Sequence, residues 1–249
     1  MTDQAAAGMA TARSHVYAFL AQSFAAPDPP THAWLRRALP VVEAALTTIG
    51  ATRSRGVFAA VRAEFTGLNQ PELAAAHSRV FGHLISGDCP PYEGEYGNAH
   101  IFQKTQCLAD NAGFFEAFGL AAAPDLADRL DHIAIELEFL HVLAAKEAHA
   151  LAYDHGEARL AVVQEATRKY FAQHLGRWAP AFAAQLESKA KDGLYAALAR
   201  MLAAFVADET HALGVTPGES DAAPMVLQAD DGAVGCEGCA KAALLDGTR

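Results

Sequence analysis

Glu138 and His141 are the first pair of side chains in this sequence whose types and spacing could do metal chemistry. They form a Glu-x-x-His motif in a segment with helical periodicity, so both side chains lie on one face of a helix. Di-iron helical bundles use two such motifs to hold their metal pair. This sequence contains no second Glu-x-x-His, and His141 falls on an apolar stripe where a buried, hydrogen-bonded histidine is the commoner role.

Cys236 and Cys239 form a second motif, Cys-Glu-Gly-Cys, in which flanking glycines let two thiolates converge on zinc or an iron-sulfur cluster. The motif supplies only two ligands. Cys89, Cys107 or His100 could complete a site only if the C-terminal segment folded back. Free thiols or a redox pair are the alternatives. We therefore expect no stoichiometric metal and no bound cofactor.

The segment CPPYEGEYG combines paired prolines with tyrosines and glutamates in a long connection. Pro90 and Pro91 restrict the backbone, so that Tyr92, Glu93 and Tyr96 could contact a ligand without a large loss of conformational entropy. Long connections are often functional. The alternative is a surface loop that is packed by its own tyrosines.

A long helix is predicted from Asp125 to Leu151, with ionisable and apolar groups on two faces. One face is an apolar stripe made of Leu130, Ile133, Leu137, Leu140, Ala144, Ala148 and Leu151. The other face carries His132, Glu136, Phe139 and Leu143. Two interpretations stay open: the helix is central and buried on both sides with its polar groups paired, or its second face is the wall of a binding groove.

The elements that must position these residues are helices. Apolar residues recur at helical spacing in about nine segments, near residues 10–25, 32–49, 55–66, 71–84, 104–118, 125–151, 157–175, 178–189 and 192–213. Alanine and leucine are abundant, which favours helix throughout. The sequence therefore predicts an all-α, single multi-helix bundle domain over residues 1–213. Periodicity is weak afterwards, so residues 214–249 are predicted to form a mobile tail.

Charge and motif content limit the class of function. With 19 basic and 29 acidic residues, the formal net charge is -10, which disfavours nucleic acid as a partner and favours a basic peptide. We find no Walker loop, dinucleotide fingerprint, HExxH or nucleophile elbow, so an enzyme is not expected. The first residues lack a secretory signal, and no apolar run is long enough to span a membrane. We expect a cytoplasmic protein with reduced thiols.

Five segments together resemble the TorD/DmsD/NarJ-type redox-enzyme maturation chaperones. They are HSRVFGHL from His77, CPPYEGEY from Cys89, LADNAGFFEAFGL from Leu108, DRLDHIAIELEFLHVLAAKEA from Asp128 and HLGRWAPAF from His174. The most specific are the Asp-His pair followed by ELEF and the PPYExxY loop upstream of it. The resemblance covers roughly residues 10–210. It departs from the family where Asp128-Arg129-Leu130 replaces Glu-Arg-Pro and where Gly94 replaces a common serine.

The resemblance implies an all-helical, TorD-like bundle that binds the twin-arginine signal peptide or the apo-form of a molybdenum-containing oxidoreductase subunit and delays its export. It implies a monomer or homodimer without stable membrane insertion. The client-binding residues carried over from the family are Arg79, Val80, Phe81, Pro90, Pro91, Tyr92, Glu93, Tyr96, Asp131 and His132. Glu136 and Phe139 extend this set along the predicted helix face. A helical adaptor with no link to molybdenum enzymes is the remaining alternative.

A twin-arginine leader joins two arginines to an apolar stretch, and acidic groups beside apolar ones suit both parts. Exposed acid-arginine pairs contribute only about 0.2 to 1 kcal/mol each, so burial of the apolar stretch must supply most of the affinity. His132 has a second candidate role. Its side chain could hold the start of the helix by hydrogen bonding to a neighbouring loop.

Overall fold

The protein is all-helical where the computed structural model describes it, which is over residues 3–82, 89–97, 101–121 and 128–218, with the backbone alone at 101–103. The helices are α1 (Asp3–Phe24), α2 (Pro29–Thr48), α3 (Thr52–Gly67), α4 (Gln70–Phe81), α5 (Ile101–Ala117), α6 (Ile133–Ala152), α7 (Glu157–Gln173), α8 (Leu175–Ala190) and α9 (Gly193–Leu213), with one 3-10 turn, η1 (Glu93–Glu95). The predicted all-α fold class is confirmed, and each of the nine predicted segments matches one helix within these residues.

The core is built around α1, α6 and α9. Helix α1 packs against α2 and α6, and α9 packs against α3 and α8. Aromatic side chains of α1 fill the space between these helices: Phe19 contacts Phe58 and Phe65 edge-on, and Tyr17 meets Phe205 in the same way. Because buried aromatic side chains contribute much of the stability of a core, these contacts stabilise the packing of α1 against α3 and α9.

Helix α6 is buried on both faces. Its apolar stripe and the face that carries Glu136, Phe139 and Leu143 are both inside the protein. This agrees with the first of the two interpretations, a central helix with paired polar groups. The side of α6 that carries Glu138 faces solvent.

The start of α6 corrects the sequence prediction, because the helix begins at Ile133 and not at Asp125. His132 is the N-cap residue, and its Nδ1 accepts a hydrogen bond from the backbone N–H of Ala134 at 3.1 Å. The N–H of Ile133 donates to the carbonyl of Pro91. The N–H of Ile133 is thus bonded to the neighbouring loop. Leu130 lies before the helix, and the first residue of the predicted apolar stripe that belongs to α6 is Ile133.

Helix α9 ends at Leu213, where Gly214 adopts the left-handed conformation that favours glycine. The chain then continues along the body, because Val215 packs against the core. Cys236, Cys239 and His100 lie outside the described residues, so the tail and its motif stay predictions. In the part of the chain that the structure covers, none of the helices combines the length and apolar character needed to cross a membrane.

Candidate functional site

The PPYExxY loop and the start of α6 lie side by side, although they are far apart in the sequence. Tyr92 and His132 form an isolated antiparallel bridge. The N–H of Glu93 donates to the carbonyl of Asp131 at 2.9 Å, next to the bond between Ile133 and Pro91. The two segments singled out in the sequence therefore form one structural unit. Whether this unit binds a client stays a prediction.

Asp131 anchors the loop from inside the protein. Its carboxylate is fully buried and accepts a hydrogen bond from the N–H of Gly94 at 3.0 Å. Arg129 donates to both of its oxygens, at 3.0 and 2.6 Å, and reaches Glu95 with its remaining nitrogen. A Cβ at Gly94 would stand 3.0 Å from Asp131 Oδ2 and 3.1 Å from the guanidinium of Arg129, so a side chain there would press on this ion pair.

His132 holds the start of α6, but its side chain does so by capping its own helix and not, as predicted, by hydrogen bonding to a neighbouring loop. Burial, together with the charge of His77, lowers its pKa to about 4, against the opposing effect of Asp128. The imidazole is therefore neutral at pH 7 and can accept the capping hydrogen bond at Nδ1. Its ring meets Tyr92 edge-on, with 5.2 Å between the ring centroids.

Glu93 is the centre of a buried polar cluster. Its Oε2 accepts hydrogen bonds from His174 Nδ1 at 2.8 Å and from the Cys107 thiol at 2.9 Å, and Asn111 approaches at 3.3 Å. Arg177 donates to Oε1 at 2.8 Å. Burial alone would raise the pKa of Glu93. The hydrogen bond and charge of His174, the thiol hydrogen bond and the charge of Arg177 outweigh burial and lower the pKa to about 2.

Glu136 lies next to this cluster in the opposite charge state. It is fully buried in α6 and accepts a hydrogen bond from Trp178 Nε1 at 3.0 Å. Burial and the negative charge of Glu93 raise its pKa well above the usual range, and the Trp178 bond offsets this only in part. Glu136 is therefore a neutral acid beside a carboxylate.

Tyr96 and Phe139 are core residues. The Tyr96 hydroxyl donates to the carbonyl of Pro90 at 2.9 Å, and its ring packs 5.2 Å from Trp178. Phe139 lies among aromatic rings, 4.6 Å from Tyr170 and 4.7 Å from Phe115. Both side chains stabilise the walls of the site and do not reach its surface.

Few of the predicted client-binding side chains face solvent. Arg79 is exposed, and Phe81 and Tyr92 are half-buried. Nine of the predicted side chains are buried, namely Val80, Pro90, Pro91, Glu93, Tyr96, Asp131, His132, Glu136 and Phe139. Most of the predicted client-binding residues therefore lie inside the protein, and their side chains are not available to a client at the surface.

The accessible edge of the site is centred on Tyr92. Its hydroxyl donates to the exposed Asp128 at 3.2 Å, and the guanidinium of Arg129 lies over its ring at 4.7 Å from the centroid. Burial, with the charge of Asp128, raises the pKa of Tyr92 to about 12. Phe81 packs on Tyr195 nearby on the helical body.

Three members of the cluster, Asn111, His174 and Arg177, were missed in the sequence, and Cys107 was considered only as a ligand that could complete a site with the C-terminal cysteines. They occur in the segments LADNAGFFEAFGL and HLGRWAPAF or just before them, but no spacing rule links them to Glu93. In the Glu-x-x-His motif, His141 forms a hydrogen bond with Ser14 Oγ at 2.7 Å, as expected for a histidine with a structural role. Within the described residues, the group able to share a metal ion is Glu93, Cys107 and His174.

Comparison with known proteins identifies the family. The family model described as nitrate reductase delta subunit matches residues 41–184, more than half of the chain. The chain therefore belongs to this family, which confirms the resemblance to TorD/NarJ-type maturation chaperones.

Individual relatives agree with this assignment. The chain is 36% identical to the chaperone protein TorD of Vibrio cholerae over 146 residues, covering 58% of this chain and 63% of that protein. It is 29% identical to the chlorate reductase assembly chaperone protein of Ideonella dechloratans over 204 residues, covering 82% and 91%. The chain thus spans less than two thirds of the TorD relative that it matches.

Proposed function

We propose that this protein is a cytoplasmic chaperone, not an enzyme, that binds the twin-arginine leader or the apo-form of a molybdenum-containing oxidoreductase subunit and delays its export until the cofactor is inserted. Family membership supports a chaperone role. Relatives named as assembly chaperones of chlorate and perchlorate reductases support a reductase subunit as the client.

The observation that carries the proposal is the bridge between Tyr92 and His132. It joins two segments that resemble the client-binding parts of the family. The end of α4 packs close to the same loop, because Phe81 and Tyr96 both contact the ring of Phe182. Three segments that resemble client-binding parts of the family therefore lie close together.

The chemistry of this edge suits a basic and apolar peptide. The exposed Asp128 offers negative charge, and Tyr92 and Phe81 offer apolar surface, whereas Glu95 is already paired with Lys104 and Arg129. The net charge of -10 favours encounter with a cationic segment. Exposed ion pairs contribute about 0.2 to 1 kcal/mol each, so apolar burial must dominate affinity while charge orients the leader.

Calorimetric titration with a twin-arginine leader peptide of a molybdenum reductase subunit from the same organism tests the proposal. Tyr92→Ala should weaken binding about tenfold by removing buried apolar contact. Asp128→Asn should weaken it about twofold to fivefold at low salt, and this effect should shrink as salt rises. Asp131→Asn should mainly lower the melting temperature, because it breaks a buried ion pair with Arg129.

Matched controls are available on α6 and at its C-terminal end. Tyr153→Ala removes an exposed tyrosine, and Glu138→Gln removes an exposed charge, both away from the edge. These variants should bind as the wild type does. Unchanged leader affinity in folded Tyr92→Ala and Asp128→Asn would show that the client docks elsewhere. If a pull-down enriches clients with no link to cofactor-dependent oxidoreductases, a general helical adaptor is the better description.

A further inference from the structure

Three side chains of metal-ligating type converge on one point below the loop. Glu93 comes from η1, Cys107 from α5 and His174 from the junction between α7 and α8. Glu93 Oε2, Cys107 Sγ and a ring nitrogen of His174 lie within 4.8 Å of one another. Both Glu93 and His174 are buried, and Cys107 is partly so.

Although the sequence motifs led us to expect no stoichiometric metal, we propose that Glu93, Cys107 and His174 bind one divalent cation of the zinc class. Carboxylate oxygen, thiolate sulfur and imidazole nitrogen are the three donor types that zinc accepts in proteins. Cys107 favours zinc over magnesium or calcium, which prefer oxygen ligands. A fourth position remains for water. The inference concerns the isolated chain and does not rest on the proposed client.

The distances require only a small opening of the cluster. His174 Nδ1 and Cys107 Sγ now lie 2.8 and 2.9 Å from Glu93 Oε2, which are hydrogen-bond distances. Tetrahedral zinc with bonds of about 2.0 and 2.3 Å separates its ligand atoms by about 3.5 Å. Rotations about the side-chain bonds of Cys107 and Glu93 would have to supply the difference.

The surroundings of His174 give an independent indication. Its Nε2 is buried and has no hydrogen-bond partner among the described residues. The nearest acceptor is Asp110 Oδ2, at 3.6 Å. When a metal occupies Nδ1, the ring hydrogen resides on Nε2 and points towards this carboxylate. A carboxylate behind a ligating histidine is a common arrangement in zinc sites.

Metal binding would change the charge of the cluster. It converts the Cys107 thiol to a thiolate, against the burial and the Glu93 charge that raise the pKa of this thiol, and His174 coordinates as a neutral ring. The thiolate and the Glu93 carboxylate offset the two charges of the ion. Arg177 remains on the other oxygen of Glu93, and Asp110, 3.6 Å from His174 Nε2, supplies the further negative charge that balances it. The ion would tie the loop to α5 and to the start of α8.

The experiment uses the full chain with Cys236→Ser and Cys239→Ser, so that the second thiol pair cannot bind the probe. After treatment with a chelator, the protein is titrated with Co²⁺ and then with Zn²⁺. We expect one equivalent of Co²⁺ with thiolate-to-cobalt charge-transfer absorption, displacement by Zn²⁺, and release of protons on binding. Zinc should also raise the melting temperature.

Two cysteine variants of this chain form the matched comparison. Cys107→Ser keeps a hydroxyl that can donate to Glu93, and it should abolish the charge-transfer band and lower Zn²⁺ affinity at least tenfold. Cys89→Ser changes another buried thiol and should preserve both. Asp110→Asn should keep the band but lower affinity about tenfold. Melting in chelator checks that each variant is folded.

Two results would overturn the proposal. The first is the absence of stoichiometric Co²⁺ or Zn²⁺ binding by the folded chain that lacks Cys236 and Cys239. The second is a charge-transfer band that survives Cys107→Ser, since another thiol would then be the ligand.

Discussion

Glu93 and Glu136 are neighbouring buried carboxyl groups that the site holds in opposite charge states. Glu93 faces His174 and Arg177, and its pKa falls to about 2. Glu136 is more deeply buried and has Trp178 as its donor, so burial and the charge of Glu93 keep it protonated. The cluster therefore carries one negative charge instead of two, which limits the electrostatic cost of burying both groups.

The neutral state of Glu136 predicts a pH-dependent stability. Its folded pKa lies above the unfolded value, so folding retains a proton that the unfolded chain loses as pH rises above about 4.5. The contribution of this group to stability is complete below that pH and is lost as pH rises towards the folded pKa. Glu136→Gln mimics the neutral acid and should escape this loss.

Denaturant unfolding of the wild type and Glu136→Gln, in chelator between pH 4.5 and 8, measures the effect. The two should be similar at the acid end. The variant should gain up to about 1.4 kcal/mol per pH unit over the wild type as pH rises. A difference that stays constant with pH would mean that Glu136 is charged in the folded protein.

At the scale of elements, the junction between α7 and α8 positions both His174 and Arg177. Helix α7 ends at Gln173, and α8 begins at Leu175, so the chain turns sharply around His174. Gly176 permits this close approach. A Cβ there would lie 2.7 Å from the carbonyl oxygen of Phe171 and 3.0 Å from Pro217.

Gly176→Ala should therefore destabilise the protein by about 1 to 3 kcal/mol, because backbone atoms must move to admit the methyl group. Gly56→Ala is the matched control. Gly56 lies in α3, is exposed and has open space around its Cβ position, so alanine should add up to about 1 kcal/mol of helix stability. Thermal and denaturant melts of both variants check the prediction. Equal effects would show that the junction relaxes freely.

At the scale of the whole molecule, the chain stays packed on the helical body for several residues after α9 ends at Leu213. Val215 packs against the core, and Pro217 lies beside the α7–α8 junction near Gly176. These contacts give the segment after Leu213 a role in stability. Val215 and Pro217 are therefore packed on the folded body, although the sequence placed them in the predicted mobile tail.

A chain that ends at Gly218 should keep the helical circular dichroism and the melting temperature of the full protein, because the described core contacts lie within it. A chain that ends at Leu213 should melt several degrees lower, because it loses Val215 and Pro217. Limited proteolysis of the full chain should cut first after Gly218. A lower melting temperature for the chain ending at Gly218 would show that residues 219–249 contribute to the folded body.

The sequence by itself determined the fold class, the nine helical segments and the family, because these depend on local periodicity and contiguous motifs. Alanine-rich and leucine-rich stretches repeat their pattern within a few turns, so neighbouring residues carry the information. The loop and the Asp-His pair were found for the same reason. Their mutual contact was predicted through the resemblance and not from spacing.

The tertiary structure alone decided which of these side chains are buried and what they contact. The start of α6 depends on the hydrogen bond that the N–H of Ile133 donates to the carbonyl of Pro91, and helical periodicity cannot predict this bond. Glu93, Cys107 and His174 come from three separate elements, and only packing brings them within ligand distance. Burial and partner charges then set the charge states of Glu93 and Glu136, because a pKa depends on neighbours in space and not on neighbours in the chain.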